Sequence, residues 1–270
     1  MEQNRYLVGF VGCGNMGGVL LASAVKNVGG KAAAVCETQP EKAAAFIEKG
    51  VTLLPLEDLA RCCDFIFLAV KPQVLPAVLA DMKEALSENP SAVLITMAAG
   101  VAIEKISMLT DKSRHVIRIM PNLPASVGEG VILFALGEGV TEKEKESFLS
   151  LLGGVGLLDE LNEEDIDAGS VVSGCGPAFV YRFAEAFVKA AESVGVDKEK
   201  ALLYVKQTIL GAAAVMTNTD TPLPDLVSAV CSPKGTTIEG IDTLNEKDID
   251  GLLKATLSAS YRRTLELKKG

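Results

Sequence analysis

Over the first 160 or so positions, short runs rich in Val, Ile, Leu, Phe and Ala recur between stretches whose apolar residues follow a helical period. Short continuous apolar runs bounded by Gly, Pro or Asp are the pattern of strands buried on both faces. Eight strands are expected, at 6–11, 32–36, 51–54, 64–70, 92–97, 115–120, 131–136 and 156–159, with amphipathic helices at 40–49, 73–86 and 142–152 among their connections. Strands alternating with helices predict a parallel, doubly wound α/β sheet covered by crossover helices.

From about position 163 the pattern changes to Ala-rich helical periodicity, through 177–194, 197–217, 222–230, 236–244 and 247–268, with no convincing strand. The sequence therefore divides into an α/β domain at 1–162 and an all-helical domain at 163–270. Segments such as AFVYRFAEAFVKAA and ALLYVKQTILGAAAVM carry apolar faces wider than a small bundle buries alone. They predict a homodimer packed through the helical half, with a higher assembly left open.

Composition narrows the classes of function. With 26 Lys and Arg against 35 Asp and Glu, the net charge of −9 gives no basic surface for nucleic acid. Hydrophobic residues at 49% with 23% charged make a globular chain of 270 residues, not a disordered one. The longest apolar runs are broken by Lys71, Pro72 and Pro76 or end within 92–103, short of the roughly 20 residues of a membrane span. The opening residues lack a secretory pattern, so a cytoplasmic location is expected. Six cysteines with no CxxC pair, two of them adjacent at Cys62 and Cys63, suit neither a disulfide framework nor a zinc site, and no metal is expected. The single histidine, His115, lies in the apolar stretch RHVIRIM and reads as structural, so chemistry resting on two imidazoles is excluded.

The chemistry gathers at strand ends. The first strand runs into GCGNMG, comprising Gly12, Cys13, Gly14, Asn15, Met16 and Gly17, and then into a helix. In that context the glycines serve a tight turn, close backbone approach to a pyrophosphate and tight helix packing, while the helix N-terminus offers free N–H groups to the anion. Glu37 ends the second strand twenty residues past Gly17, where an acid binds adenosine ribose hydroxyls, which favours NADH over NADPH. Thr38, Gln39 and Lys42 could still accept a 2′-phosphate if Glu37 turned away. Three further strand ends point at the same crevice: AVKPQ, with Ala69, Val70, Lys71 and Pro72; MAAG, with Ala98; and MPNLPASVGEG, with Asn122. In the helical half, CSPKGTTIEG places Gly235, Thr236 and Thr237 at a helix start, a cradle suited to a carboxylate.

With these segments in order, from VGFVGCGNMG through LAVKPQ, RIMPNLPASVGEG and SGCGPAFVY to SPKGTTIEG, the chain resembles the pyrroline-5-carboxylate reductases over essentially its whole length. The resemblance implies a Rossmann domain followed by a helical dimerisation domain, and reduction of 1-pyrroline-5-carboxylate to L-proline by NADPH or NADH. By position it puts Gly12 to Gly17 and Ala69 to Pro72 on the cofactor, Asn122 near the nicotinamide, and Ser232 to Thr237 on the substrate carboxylate. Thr237 matches the threonine whose hydroxyl faces the ring nitrogen and is the expected catalytic residue. The sequence departs from the family pattern at Lys234, where SPGGTT is usual, at Cys175 for Ser, at Leu123 for Thr, and at Glu37, which opposes the expected NADPH preference. A related imine or β-hydroxyacid reductase and an NAD(H)-binding sensor are the rival readings. GCGPAFVY lacks the lysine of the β-hydroxyacid enzymes, and a substrate cradle is superfluous to a sensor.

Overall fold

The structure, a computed structural model, describes residues 4–269. Among the described residues, eight strands form one sheet: β1 (Tyr6–Val11), β2 (Ala33–Cys36), β3 (Thr52–Leu53), β4 (Cys63–Leu68), β5 (Val93–Thr96), β6 (Val116–Met120), β7 (Gly130–Leu136) and β8 (Gly156–Glu160). Their spatial order is β3-β2-β1-β4-β5-β6-β7-β8. Seven helices accompany them: α1 (Asn15–Val28), α2 (Ala44–Ile47), α3 (Leu56–Cys62), α4 (Leu75–Ser87), α5 (Ile103–Leu109), α6 (Glu142–Leu151) and α7 (Glu163–Ser173). The remainder is helical: α8 (Gly176–Ser193), α9 (Lys198–Thr217), α10 (Leu223–Val230), α11 (Thr236–Glu246) and α12 (Ile249–Lys269).

All eight expected strands are present, and their uninterrupted apolar character has a direct cause. In β4, Phe65 and Phe67 enter one core while Ile66 and Leu68 enter the other, so neither face meets water. Phe10 of β1 stacks on Phe67 with ring centroids 4.4 Å apart and planes 6° from parallel. The chain order reverses between β1 and β4, the position at which doubly wound sheets open a ligand crevice at their carboxyl edge.

The structure corrects the sequence reading in three places. The sheet is not parallel throughout, because β6 and β7 pair antiparallel. Residues 121–129 between them hold only a 3-10 turn at Leu123–Val127, and a parallel return needs a crossover of about a dozen residues or more. The helix expected at 40–49 is broken into a 3-10 turn at Pro40–Lys42 and the single turn α2. Three short helices, α3, α5 and α7, were not anticipated.

The chain forms two compact units, one running to Cys175 and taking in the end of α12 from Tyr261, the other spanning Gly176–Ser260. The step at 162/163 marks the end of the last strand, whereas packing keeps α7 with the sheet. The reason is a buried charge cluster. Arg118 of β6, 1% exposed at its side chain, donates from Nη2 to Asp167 Oδ1 of α7 at 2.5 Å and lies 3.4 Å from Glu163 Oε1. Lys268 Nζ, in the last turn of α12, donates to Asp167 Oδ2 at 2.9 Å. Glu163 also accepts the Ile103 N–H at 2.7 Å and so covers the start of α5.

Burial alone would push the Asp167 carboxyl up, but hydrogen bonds from Lys268 and Arg118 and their charges hold it below the usual carboxylate range. A depressed folded-state value means stability that is complete above the unfolded value of about 3.9 and lost as pH falls through the folded one. Asp167→Asn should therefore cost about 3 kcal/mol at pH 7, the low end for a broken buried pair because Glu163 remains beside Arg118. The gap between urea melts of the two proteins should begin to narrow only below about pH 4 and shrink further with acid, and a constant gap down to pH 2 would contradict this account.

Candidate functional site

In the first unit the site begins where β1 stops. Gly12 has φ of 95° and donates its N–H to Cys36 O at 2.8 Å, which ties the turn to the end of β2. A β-carbon on Gly12 would lie 2.7 Å from Ala69 O, and one on Gly17 would lie 2.6 Å from Gly12 O and 2.8 Å from the Ala69 β-carbon. All three distances are below any real contact, so only glycine allows α1 to start this close to β1 and to the residue after β4. Above Gly14 the situation is reversed, with nothing within 4 Å of an added β-carbon. Gly14 is the N-cap of α1 and no side chain caps the helix, so the first-turn N–H groups at Asn15, Met16 and Gly17 face that space. Free donors facing open space suit an anion such as a pyrophosphate, so the residues fit a dinucleotide.

Glu37 turns inward. Its Oε2 accepts the Cys13 N–H at 2.7 Å, and its Oε1 accepts the Gln39 N–H at 3.0 Å and the Thr38 hydroxyl at 3.2 Å. Partial burial would raise its pKa, but these three donors together with the charge of Lys42 hold it below the ordinary glutamate value. The Cys13 thiol is pushed up by burial and by the Glu37 charge, so it is a neutral spacer and not a nucleophile.

Ala69 donates its N–H to Val11 O at 2.9 Å, and Val70, Lys71 and Pro72 follow as the turn into α4. Lys71 is exposed at this edge and Ala98 is buried after β5. Asn122 is buried with both ends of its amide engaged: Nδ2 donates to Ser173 O at 2.9 Å and Oδ1 accepts the Val131 N–H at 2.9 Å. Its side chain pins the turn between β6 and β7 to the end of α7, a bracing role that spacing alone does not reveal. His115 stands apart from these residues, its Nδ1 2.9 Å from Glu144 Oε1 at the start of α6.

In the second unit, Ser232 to Gly235 form a turn closed by the Gly235 N–H on Ser232 O at 2.9 Å. Gly235 is the N-cap of α11, no side chain caps the helix, and a β-carbon there would fall on the Ser232 hydroxyl. Thr236 and Thr237 are exposed on the first turn, beside uncapped N–H groups. Thr237 also borders an apolar recess of about 620 Å³ formed by α9, α10 and α11, with Met216, Val227, Val230 and Ile241 in its wall. Lys234 has φ of 58°, the left-handed conformation in which a side chain is strained.

A family model for pyrroline-5-carboxylate reductase dimerisation matches residues 163–267, and one for NADP oxidoreductase, coenzyme F420-dependent, matches residues 7–100. The chain is 34% identical over 268 residues to pyrroline-5-carboxylate reductase 3 of Danio rerio, covering 96% of this chain and 91% of that one. The chain belongs to the pyrroline-5-carboxylate reductase family. Among solved structures it is similar to the Coxiella burnetii reductase, at TM-score 0.91 and 32% identity over 99% of this chain and 100% of that one. It is also similar to the Plasmodium falciparum enzyme solved with NADP bound, at TM-score 0.86 and 27% identity over 98% and 99% of the two chains. As a pyrroline-5-carboxylate reductase it is an NAD(P)H-dependent oxidoreductase with a dimerisation domain. Among its described residues, no helix is long and apolar enough to cross a membrane.

Against the family's SPGGTT, Lys234 puts a side chain where the backbone adopts positive φ. Lys234→Gly relieves about 1–2 kcal/mol of local strain and gives back about half of it in chain entropy. A net gain of about 0.5–1 kcal/mol in thermal unfolding is expected, with none for Lys234→Ala, which keeps a β-carbon. Equal gains for both variants would show that the strain is absent.

Proposed function

We propose that the chain reduces 1-pyrroline-5-carboxylate to L-proline, the last step of proline biosynthesis. End-to-end similarity to reductases of that name carries this reading. When bound, NAD(P)H supplies the hydride to the C5 carbon of the ring, and one proton ends on the ring nitrogen.

The geometry supports the following division of parts among the residues. Gly12 to Gly17 hold the pyrophosphate on the uncapped first turn of α1, with Ala69 to Pro72 and Ala98 as neighbouring walls of the same carboxyl edge. Asn122 holds the turn that follows β6 in place. Ser232, Gly235, Thr236 and Thr237 hold the substrate carboxylate, because an uncapped helix start with two exposed hydroxyls offers several donors to one anion. A protonated cyclic imine is already electrophilic, so the reaction asks for no strong protein acid. The bonding of His115 to Glu144 as a structural pair is consistent with that. Thr237 orients the ring nitrogen through its hydroxyl, and rate comes mainly from positioning.

The assembly is a homodimer formed through the helical unit. Leu203, Leu210, Leu223, Val230 and Leu252 are each at least 60% exposed in the single chain, more apolar surface than a monomer ordinarily leaves to water. The location is cytoplasmic, in keeping with six unpaired cysteines.

Oxidation of NADH or NADPH followed at 340 nm with pyrroline-5-carboxylate tests the reaction. Thr237→Val should lower kcat/KM by on the order of tenfold to a hundredfold, the size of one lost hydrogen bond to a charged group. Full turnover with unchanged KM in that variant would remove Thr237 from the chemistry.

A further inference from the structure

We infer that Glu37 makes this enzyme select NADH over NADPH, and that it does so as a charge locked in place by the glycine turn. The inference rests on the reductase reading, since it concerns the cofactor of that reaction.

Selection requires a carboxylate that cannot swing aside. Three donors on two sides fix this one: the Cys13 N–H on Oε2, and the Gln39 N–H and Thr38 hydroxyl on Oε1. Rotation out toward solvent, which alone would clear room for a 2′-phosphate, breaks all three. A carboxylate has about four acceptor sites, so with three taken roughly one remains, on Oε2, for a ribose hydroxyl. The group is ionised at neutral pH, because the same donors outweigh its partial burial.

The stretch that begins with Glu37 offers no cation before Lys42. Residues 36–41 read Cys-Glu-Thr-Gln-Pro-Glu, two carboxylates and no cation. The next residue, Lys42, already counters the charge of Glu37. A 2′-phosphate brought to the end of β2 therefore meets Glu37 directly, whereas a ribose diol meets an acceptor.

The contact to Cys13 has a second effect. Cys13 is part of GCGNMG, so Glu37 also braces the turn that carries the pyrophosphate amides. Bracing acts on both cofactors alike, while charge repulsion acts on NADPH alone. The ratio of the two affinities separates the roles.

The test is calorimetric titration of the full-length protein with NADH and with NADPH, repeated for Glu37→Gln and Glu37→Ser, with unfolding temperatures for all three. We expect NADPH to bind the wild type at least about tenfold more weakly than NADH. In Glu37→Gln both Kd values should rise modestly and their ratio should fall to within about threefold of one. High salt should also narrow the wild-type ratio, as screening requires. Equal or tighter NADPH binding by the wild type would overturn the inference while leaving the reductase reading intact. A Glu37→Gln protein whose two Kd values rise together at an unchanged ratio would also overturn it, leaving Glu37 as a brace only. Binding of neither cofactor would sink both readings.

Discussion

The missing β-carbons at Gly12 and Gly17 let α1 begin in contact with the backbone after β1 and with Ala69 after β4, and the carboxyl edge of the sheet is arranged around that approach. Any side chain at either position would force the helix outward. The Gly12 N–H would then leave Cys36 O, and the Cys13 N–H would leave Glu37. The turn, the end of β2 and the first residue after β4 are thus one rigid object. Its uncapped N–H groups are left over because α1 has no side-chain cap, an omission that, with glycine at the N-cap, costs the helix only about a few tenths of a kcal/mol and leaves donors for an anion.

The opposite edge of the site is organised by charge. Arg118 sits in the middle of an apolar strand, and its burial is tolerated because Asp167 and Glu163 are presented by successive turns of α7. The cluster then recruits Lys268, which ties the last turn of α12 to α7 within the same unit. Asn122, four residues beyond Arg118, uses the same helix by donating to Ser173 O at its end. Strand β6 is therefore held to α7 at its middle and just past its end, and the loop that follows β6 inherits that rigidity. Replacing such a cluster with hydrocarbon is often no loss in stability. What hydrocarbon does not supply is a fixed direction for α7 and the tail of α12.

Much of this was legible in the sequence, for reasons that can be named. The central strands announced themselves because both faces are buried, which leaves little room for polar residues. The glycine turn was legible because its spacing is set by backbone collisions that no other residue avoids. The short helices α3 and α5, of seven residues each, were missed because two turns hold too few positions to show a period. In α7, three acidic residues in the first turn mask the apolar face, and its attachment to the sheet depends on Arg118, 45 residues or more away in sequence. The one available signal was the lone arginine in HVIRIM, since a cation in a buried strand demands a carboxylate from elsewhere. The direction of Glu37 was beyond reach, because it depends on which backbone N–H groups the folded turns leave free.

The helical unit makes a different argument about where stability resides. Among its described residues only Ala201 and Val205 are buried, while Tyr181, Phe183, Leu203 and Leu210 lie more than half exposed along α8 and α9. Five helices cannot offset the entropy of ordering some 85 residues on a core that small. Folding of this unit and covering of its apolar faces are consequently coupled, in keeping with its match to a dimerisation domain. The turn at Lys234 and the start of α11 belong to that same unit. The order of the candidate carboxylate cradle is therefore linked to the covering of those apolar faces, even though each of its donors comes from a single stretch of chain.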